Sequence, residues 1–325
     1  MIFLSDQDVD ELLDPVDLVA ALARGFSRLS DGRMTEPLST RMNGLGQGSG
    51  YLTLFPAHDA GTGLASAKVL FGDPARKHAG MPEIDAIVAV ADTMAGQLVA
   101  LVEARSLTAL RTAATSALAV TGLNQLNRRT RPSEVGLIGT GRQARAHARV
   151  FAAMGLASGF VVASAAGDPA RAEALARDVA TTTGLPARSV PEPDTVMANA
   201  SVIVTASLSD TALIMSPLHP DQTLVCVGPF LPHSHEISPM LLNGAGLVVS
   251  DHPARLRQQW HGHPVIDGLG PERLMALADL LAGAAPANAE GPCLFLSDGR
   301  GLEDNVAAGL VLAAASRQNR GQRLR

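Results

Sequence analysis

A glycine-rich segment near the middle of the chain is the first candidate for chemistry. Residues 135–138 form an apolar run, and Gly139, Gly141 and Ala144 follow it in the pattern Gly-x-Gly-x-x-Ala. In such a turn the first glycine makes the tight bend, the second lets the backbone approach a pyrophosphate, and the alanine keeps the next helix close to the strand. A glycine turn that binds nothing is the less favoured alternative, because this one follows a strand pattern and precedes a helix pattern. We expect the whole turn to bind a dinucleotide: Gly139, Thr140, Gly141, Arg142, Gln143 and Ala144.

The end of the second predicted strand indicates which dinucleotide is bound. An NAD site usually has a carboxylate about 20 residues after the first glycine, where it binds the ribose 2′-hydroxyl. Residues 161–166 contain no carboxylate, and Asp168 suits the N-cap of the next helix better. Ser164 can hydrogen-bond a 2′-phosphate, and Arg171 can approach it. The pattern favours NADPH, with NADH as the alternative.

The elements around the glycine turn alternate between strand and helix. Helical spacing covers residues 143–154 and 168–182. Short apolar runs that predict strands cover residues 134–138, 159–163, 201–205, 223–227 and 246–250. Short strands separated by helices predict βαβ units and a parallel sheet.

The first 130 residues have a different pattern. An amphipathic helix is predicted over residues 16–29, with Asp14 as its N-cap, and a helix rich in small residues over 106–123. Strands are predicted over residues 38–42, 51–55, 63–71, 84–91 and 97–103. The sequence therefore predicts an α+β region, then a Rossmann-type doubly wound parallel sheet, with the boundary near residue 120.

Composition excludes several classes of protein. The 325 residues are 46% hydrophobic and 18% charged, which argues against disorder and coiled coil, and the length suggests about two domains. A net charge of −5 without a long basic run argues against nucleic acid as a partner. There is no basic leader pattern and no apolar run of about 20 residues, so we expect no membrane span and a cytoplasmic location. Cys226 and Cys293 lie in apolar runs and are expected to be buried thiols.

Several motifs together resemble the ornithine cyclodeaminase and mu-crystallin family. They occur in the family's order at residues 37–42, 65–69, 106–114, 138–144, 203–207 and 296–304. The resemblance implies a substrate-binding and dimerisation domain over residues 1–118, completed by a C-terminal helix over 303–325. It implies a Rossmann dinucleotide-binding domain over residues 119–302, and a homodimer.

The resemblance also implies roles for individual residues. Arg41 and Arg111 match the arginines that hold the substrate carboxylate, and Lys68 matches the active-site lysine near the reacting carbon. Without the resemblance, Arg111 reads as a solvated helix residue, and Lys68 reads as a lysine that reaches the surface. Four residues at or just after the ends of predicted strands are expected to contact the cofactor: Thr205, Ala206, Ser207 and Gly228.

One departure from the family pattern changes the expected reaction. Where cyclodeaminases and alanine dehydrogenases of the family have a catalytic aspartate, this chain has Phe230 when Glu236 is aligned with the family's glutamate. A phenyl ring cannot accept a proton, so deamination loses its base. The arrangement is similar to members that reduce cyclic ketimines, in which Phe230 would pack on the apolar ring of the imine. Lys68 would then serve as a charge or proton source.

The sequence thus favours an NADPH-dependent reductase of pyrroline-2-carboxylate or piperideine-2-carboxylate, giving proline or pipecolate. One alternative is a cyclodeaminase, or a dehydrogenase or synthase of N-substituted amino acids, with Glu83 or Asp85 as the acid. Another is a non-catalytic protein that binds NADPH or a small ligand.

Other polar residues suggest no further chemistry. His233 and His235, and His261 and His263, form two His-x-His pairs without a carboxylate or cysteine pattern, so we predict no metal site. Glu303 and Asp304 follow a glycine turn and are expected first as a helix cap and second as neighbours of the cofactor.

Overall fold

The structure of the protein is a computed structural model. It describes residues 1–46, 48–73, 75–78, 84–129, 132–207, 209, 212–214, 216–228, 236, 238–259, 264–270, 273–284 and 291–324. Strands and helices of these residues are numbered separately, each in chain order.

The strands are β1 (Ile2–Leu4), β2 (Met34–Thr35), β3 (Thr40–Leu45), β4 (Gly50–Asp59), β5 (Leu64–Gly72), β6 (Ile84–Asp92), β7 (Gln97–Glu103), β8 (Ser133–Ile138), β9 (Ala157–Ala163), β10 (Ala187–Ser189), β11 (Val202–Thr205), β12 (Thr223–Val227), β13 (Leu247–Ser250), β14 (Leu274–Ala276), β15 (Cys293–Ser297) and β16 (Gln322–Arg323). The helices are α1 (Asp6–Leu12), α2 (Pro15–Ser30), α3 (Ala75–His78), α4 (Ala104–Leu126), α5 (Arg142–Ala153), α6 (Pro169–Thr183), α7 (Pro193–Asn199), α8 (Pro239–Asn243), α9 (Pro253–Gln259), α10 (Pro264–Asp267), α11 (Leu277–Leu281) and α12 (Gly301–Gln318).

The chain divides into two compact units, residues 1–111 with 300–325, and residues 112–299. The first unit contains a mixed sheet in the order β16, β1, β7, β6, β5, β4, β2, with β3 paired to β4. Only the β1–β7 pair is parallel among the strand pairs described in this sheet. Helix α12 packs on α2, β4 and β5. The predicted α+β architecture is confirmed.

The second unit contains a parallel sheet in the order β10, β9, β8, β11, β12, β15, β13, β14. Taken from β8, the first five strands have the doubly wound order 3-2-1-4-5, with the change of direction between β8 and β11. The central strands are buried along their length, as expected of a parallel sheet covered on both faces. The predicted Rossmann-type fold is confirmed.

Most predicted elements form within a few residues of their predicted bounds. Asp14 caps α2 and Asp168 caps α6, each by accepting backbone N–H groups. Strand β3 begins at Thr40, two residues later than predicted, and β4 continues to Asp59. Short elements such as α1, α7 and β10 were not predicted: each of the two helices has only seven residues, about two turns, and the strand has only three residues. No helix in the described ranges is long and apolar enough to cross a membrane.

Candidate active site

The glycine turn lies at the carboxyl end of β8, where the strand order changes direction. Gly139 has φ of +126°, and a β-carbon built on it would be 2.4 Å from the carbonyl oxygen of Ala206. Its N–H donates to the carbonyl oxygen of Ala163 at 2.9 Å. Neighbouring backbone therefore leaves room only for glycine, and the turn lies where doubly wound sheets bind ligands.

Gly141 provides an open approach to the helix that follows. It is exposed, occupies the N-cap of α5 without a side-chain cap, and has no atom within 4 Å of the position a β-carbon would take. Ala144 is fully buried one turn later. The first N–H groups of a helix have no partner within the helix, so this helix start without a side-chain cap fits a pyrophosphate.

The loop after β9 contains the residues proposed for the 2′-position of the ribose. Ser164 is 4% exposed, and its Oγ accepts the N–H of Ala166 at 3.3 Å. Asp168 Oδ1 accepts the N–H of Arg171 at 3.2 Å, as the cap prediction required, while the Arg171 residue is exposed. Asp168 therefore serves as the N-cap of α6. This agrees with the prediction that the segment offers no carboxylate to bind the ribose.

Glu236 is a buried carboxyl group that sequence reasoning used only to align the chain. It accepts the backbone N–H of Ser207 at 2.8 Å and also binds the Ser207 hydroxyl. Burial raises the pKa of Glu236 to about 7, against the opposing effect of hydrogen bonds from Ser207 and Thr205. Burial and this neighbouring carboxyl group also raise the pKa of the Cys226 thiol. Thr205, Ala206 and Ser207 thus lie at the end of β11 beside a titratable group.

Lys68 forms a buried ion pair within the first unit. It lies on β5 between Phe55 of β4 and Val88 of β6, and its side chain is 1% exposed. Its Nζ is 2.7 Å from Asp304 Oδ2 and lies 4.5 Å from the centre of the Phe55 ring. The lysine does not reach the surface, so its ammonium is balanced by Asp304 rather than by solvent.

Arg111 joins the same group of charges. Its Nη1 donates to Glu303 Oε2 at 2.5 Å, and its Nε donates to Asp304 Oδ1 at 3.1 Å. The Arg111 side chain is 6% exposed, and the two carboxylates are fully buried. We call Lys68, Arg111, Glu303 and Asp304 the charge cluster; it contains two cations and two anions, which offsets the cost of burying each.

Burial and the neighbouring charges together determine the proton affinity of Lys68. Burial lowers the pKa of Lys68 to about 8, Asp304 raises it in opposition, and the positive Arg111 lowers it further. An ammonium with this pKa is mostly charged at neutral pH and releases its proton more easily than an exposed lysine.

The first turn of α12 brings both carboxylates into the charge cluster. Arg300 occupies the N-cap without a side-chain cap, and Glu36 Oε2 accepts the N–H of Leu302 at 2.9 Å. The prediction of Glu303 and Asp304 as a helix cap is therefore wrong, because their side chains bind Lys68 and Arg111. One signal was present in the sequence: a lysine between apolar strand neighbours needs a carboxylate partner if it is buried.

Arg41 has other partners. It is half-buried on β3, its Nε donates to Asn43 Oδ1 at 2.8 Å, and its guanidinium lies 3.8 Å from the centre of the Tyr51 ring. Lys68 and Arg111 are both members of the charge cluster, whereas the contacts described for Arg41 are with residues of β3 and β4.

Several predicted residues lie outside the described ranges, namely Phe230, Glu83, His233, His235, His261 and His263. Asp85 is exposed near the start of β6, where its Oδ1 accepts the N–H of Ala86 at 3.1 Å. Cys226 and Cys293 are buried free thiols, as predicted. Among the residues the structure covers, no three His, Cys, Asp or Glu side chains form a group suited to a metal ion.

Known proteins are similar in sequence to this chain over nearly its whole length. A protein named Delta(1)-pyrroline-2-carboxylate reductase 2 from Burkholderia ambifaria is 29% identical over 91% of this chain and 90% of its own. Ketimine reductase mu-crystallin of Mus musculus is 26% identical over 95% of this chain and 96% of its own.

The Delta(1)-pyrroline-2-carboxylate reductase of Thermococcus litoralis, solved in complex with NADH and L-proline, superposes with a TM-score of 0.89. It is 21% identical, with all of both chains covered. The sequence profile of the ornithine cyclodeaminase/mu-crystallin family matches residues 1–319. Because this match spans nearly the whole chain, the protein belongs to the ornithine cyclodeaminase/mu-crystallin family.

Proposed function

We propose that this chain is an NAD(P)H-dependent reductase of small cyclic ketimine carboxylates. It would convert pyrroline-2-carboxylate to proline, or piperideine-2-carboxylate to pipecolate. The observation that carries the proposal is the charge cluster, in which a buried lysine is held as an ammonium that can release a proton. Reductase names on the Burkholderia ambifaria and mouse relatives support the same reaction.

The second unit would bind the dinucleotide, which supplies a hydride when bound. The open space at Gly141 and the start of α5 would receive the pyrophosphate. Ser164 and Arg171, with no carboxylate at the strand end, favour NADPH over NADH. Thr205 ends β11, Ala206 and Ser207 follow it, and Gly228 follows β12. We propose these four residues as further cofactor contacts.

The first unit would bind the substrate. Arg41 and Arg111 are the proposed ligands of the carboxylate, since a guanidinium binds a carboxylate through two parallel hydrogen bonds. Glu303 and Asp304 orient the guanidinium of Arg111 through its Nη1 and Nε. Phe230 is the proposed apolar contact of the ring.

Lys68 would act as a general acid towards the imine. A protonated imine is a better electrophile than a neutral one, and an acid with a pKa near the working pH transfers its proton most effectively. The pKa of Lys68, lowered to about 8, meets this requirement. Phe230 cannot remove a proton, and Asp85 is exposed, so neither residue favours a cyclodeaminase.

The test is oxidation of NADPH and of NADH, followed by absorbance, with each of the two cyclic ketimines. Lys68→Ala and Arg111→Ala should abolish most of the activity. Lys77→Ala is the matched control, because Lys77 is the only other lysine in the sequence. No oxidation with either ring by the wild-type protein, together with ammonia release from ornithine or lysine, would overturn the proposal in favour of a cyclodeaminase.

We also propose that the protein is a homodimer formed through the sheet face opposite the charge cluster. Leu54, Val69 and Ile87 lie opposite one another on this face of β4, β5 and β6. Leu54 is 36% exposed, and Met42 of the adjoining β3 is 51% exposed. The solvent face of an antiparallel sheet is normally polar, so an apolar one suits a second copy of the chain.

Light scattering after size exclusion tests the dimer. The wild-type protein should have twice the chain mass, and Leu54→Arg should yield a folded monomer. A wild-type monomer at micromolar concentration would contradict this proposal and leave the reductase proposal intact.

A further inference from the structure

Asp304 contacts both cations of the charge cluster with different oxygen atoms. Oδ2 lies 2.7 Å from Lys68 Nζ, and Oδ1 accepts from Arg111 Nε at 3.1 Å. The carboxylate is fully buried. It is therefore held from two sides, by the ammonium of Lys68 and the guanidinium of Arg111.

The surroundings of Lys68 make Asp304 its main counter-charge. Helix α12 brings Asp304 and, one residue earlier, Glu303; helix α4 brings the positive Arg111. The neighbouring strands present the Phe55 ring and Val88. Glu303 engages Arg111, and Asp304 is in direct contact with the lysine.

We propose that Asp304 is a positioning residue for ketimine reduction, which keeps Lys68 charged and fixes its Nζ as the donor of the proton to the imine nitrogen. The inference rests on the proposed function. The Nζ–H bond of Lys68 breaks as the lone pair of the imine nitrogen forms a new N–H bond. C2 takes up the hydride that the reduced dinucleotide supplies, so the C=N bond becomes a C–N bond. A proton from solvent restores the ammonium in each turnover.

The composition of the chain permits a direct test. Lys68 and Lys77 are the only lysines, so protein labelled with 13C at lysine Cε has two lysine signals, and Lys77→Arg assigns them. Titration of these signals measures the pKa of Lys68 without substrate or cofactor. In Asp304→Asn the pKa of Lys68 should fall by about one unit or more, because an opposing charge in contact is lost while burial remains.

Three variants on the same helix serve as controls. Asn305→Ala removes hydrogen bonds from Asn305 to the Leu64 carbonyl and the Ser66 hydroxyl, so it should lower the melting temperature without moving the Lys68 titration. Glu303→Gln removes the adjacent carboxylate charge and should lower the pKa of Lys68 less than Asp304→Asn does. Asp304→Glu keeps the charge and should restore most of the wild-type pKa.

The kinetic readout is the alkaline limb of kcat/KM for ketimine reduction. In the wild-type enzyme this limb should coincide with the Lys68 titration, and in Asp304→Asn both should move to lower pH together. The inference is overturned if the pKa of Lys68 is the same in wild type and in Asp304→Asn. It is also overturned if this pKa falls in Asp304→Asn while the alkaline limb of kcat/KM stays where it is in wild type. If Asp304→Asn does not fold, a wild-type limb more than about one unit from the Lys68 midpoint also overturns it.

Failure of the proposed function has a different signature. A wild-type protein that reduces neither ketimine rejects the reductase and with it the proton-donor role of Lys68. An active wild type with an unchanged Lys68 titration in Asp304→Asn rejects only the role of Asp304.

Discussion

Gly301, the first residue of α12, lies against Pro56 of β4 so closely that a β-carbon on Gly301 would be 2.4 Å from the Pro56 carbonyl oxygen. The helix therefore starts in contact with the strand, and its first turn carries Glu303 and Asp304 into the charge cluster. The close approach of one glycine thus determines where two buried carboxylates lie.

Gly301→Ala should displace the first turn of α12. The added methyl group meets backbone, which cannot yield easily, so we expect a loss of about 1–3 kcal/mol in the free energy of unfolding and a marked fall in kcat. Gly309→Ala on the same helix is the control: its β-carbon would meet only the flexible end of Leu64, at 3.0 Å. Urea denaturation of both variants measures the change in the free energy of unfolding. Equal stability of Gly301→Ala and wild type would contradict the prediction.

Gly141→Ala and Gly139→Ala should separate cofactor binding from folding. Gly141 has extended backbone and open space around it, so alanine should change stability by less than about 0.5 kcal/mol while weakening NADPH binding about tenfold or more. Gly139→Ala should cost about 2 kcal/mol or more, because φ of +126° and the Ala206 carbonyl both oppose a side chain. Melting curves and NADPH fluorescence titration measure the two effects. Unimpaired NADPH binding by folded Gly141→Ala would refute the proposed pyrophosphate site.

Arg111→Ala and Arg41→Ala should have different consequences. Loss of Arg111 leaves Glu303 and Asp304 buried without their shared cation, so we expect a cost of about 3–5 kcal/mol as well as loss of activity. Arg41 is half-buried, and its removal should raise KM about tenfold or more with little change in stability. Denaturation and steady-state kinetics of both variants provide the comparison. An unchanged KM in Arg41→Ala would remove Arg41 from the substrate site.

His147 should make the protein less stable in acid. Its Nδ1 is 2.8 Å from the Gln143 carbonyl oxygen and its Nε2 is 3.0 Å from the Ser116 hydroxyl. Burial lowers the pKa of His147 to about 4, from 6.5. Between pH 6.5 and 4 the unfolded chain binds more protons at this histidine than the folded protein does. Neutral His147 therefore does not reduce the free energy of unfolding above pH 6.5, and its burial lowers that free energy by on the order of 3 kcal/mol as pH falls to 4.

His147→Gln should therefore flatten the dependence of the free energy of unfolding on pH between 6.5 and 4. His219→Gln, at an exposed histidine, is the control and should leave the dependence as in wild type. Parallel slopes for wild type and His147→Gln would contradict the assignment.

Much of the fold could be predicted from local patterns. The alternation of strands and helices after residue 133, the caps Asp14 and Asp168, and the glycine turn at Gly139 all agree with the structure. Each depends on residues close together in the chain, whose periodicity or backbone requirement is visible in the sequence. Short strands and helices, such as β10 and α7, escaped prediction because packing rather than local preference forms them.

The sequence by itself determined the fold class and the dinucleotide-binding pattern, since these follow from spacing and motif. It indicated Lys68 and Arg111 as candidates only through the resemblance to the family. The tertiary structure alone decided that Lys68 is buried, that Asp304 is its counter-charge and that Glu303 engages Arg111. Burial of a charge and the choice of its partner are properties of a packed unit, where residues far apart in the chain share a low-dielectric interior. No local pattern records which carboxylate will face which cation.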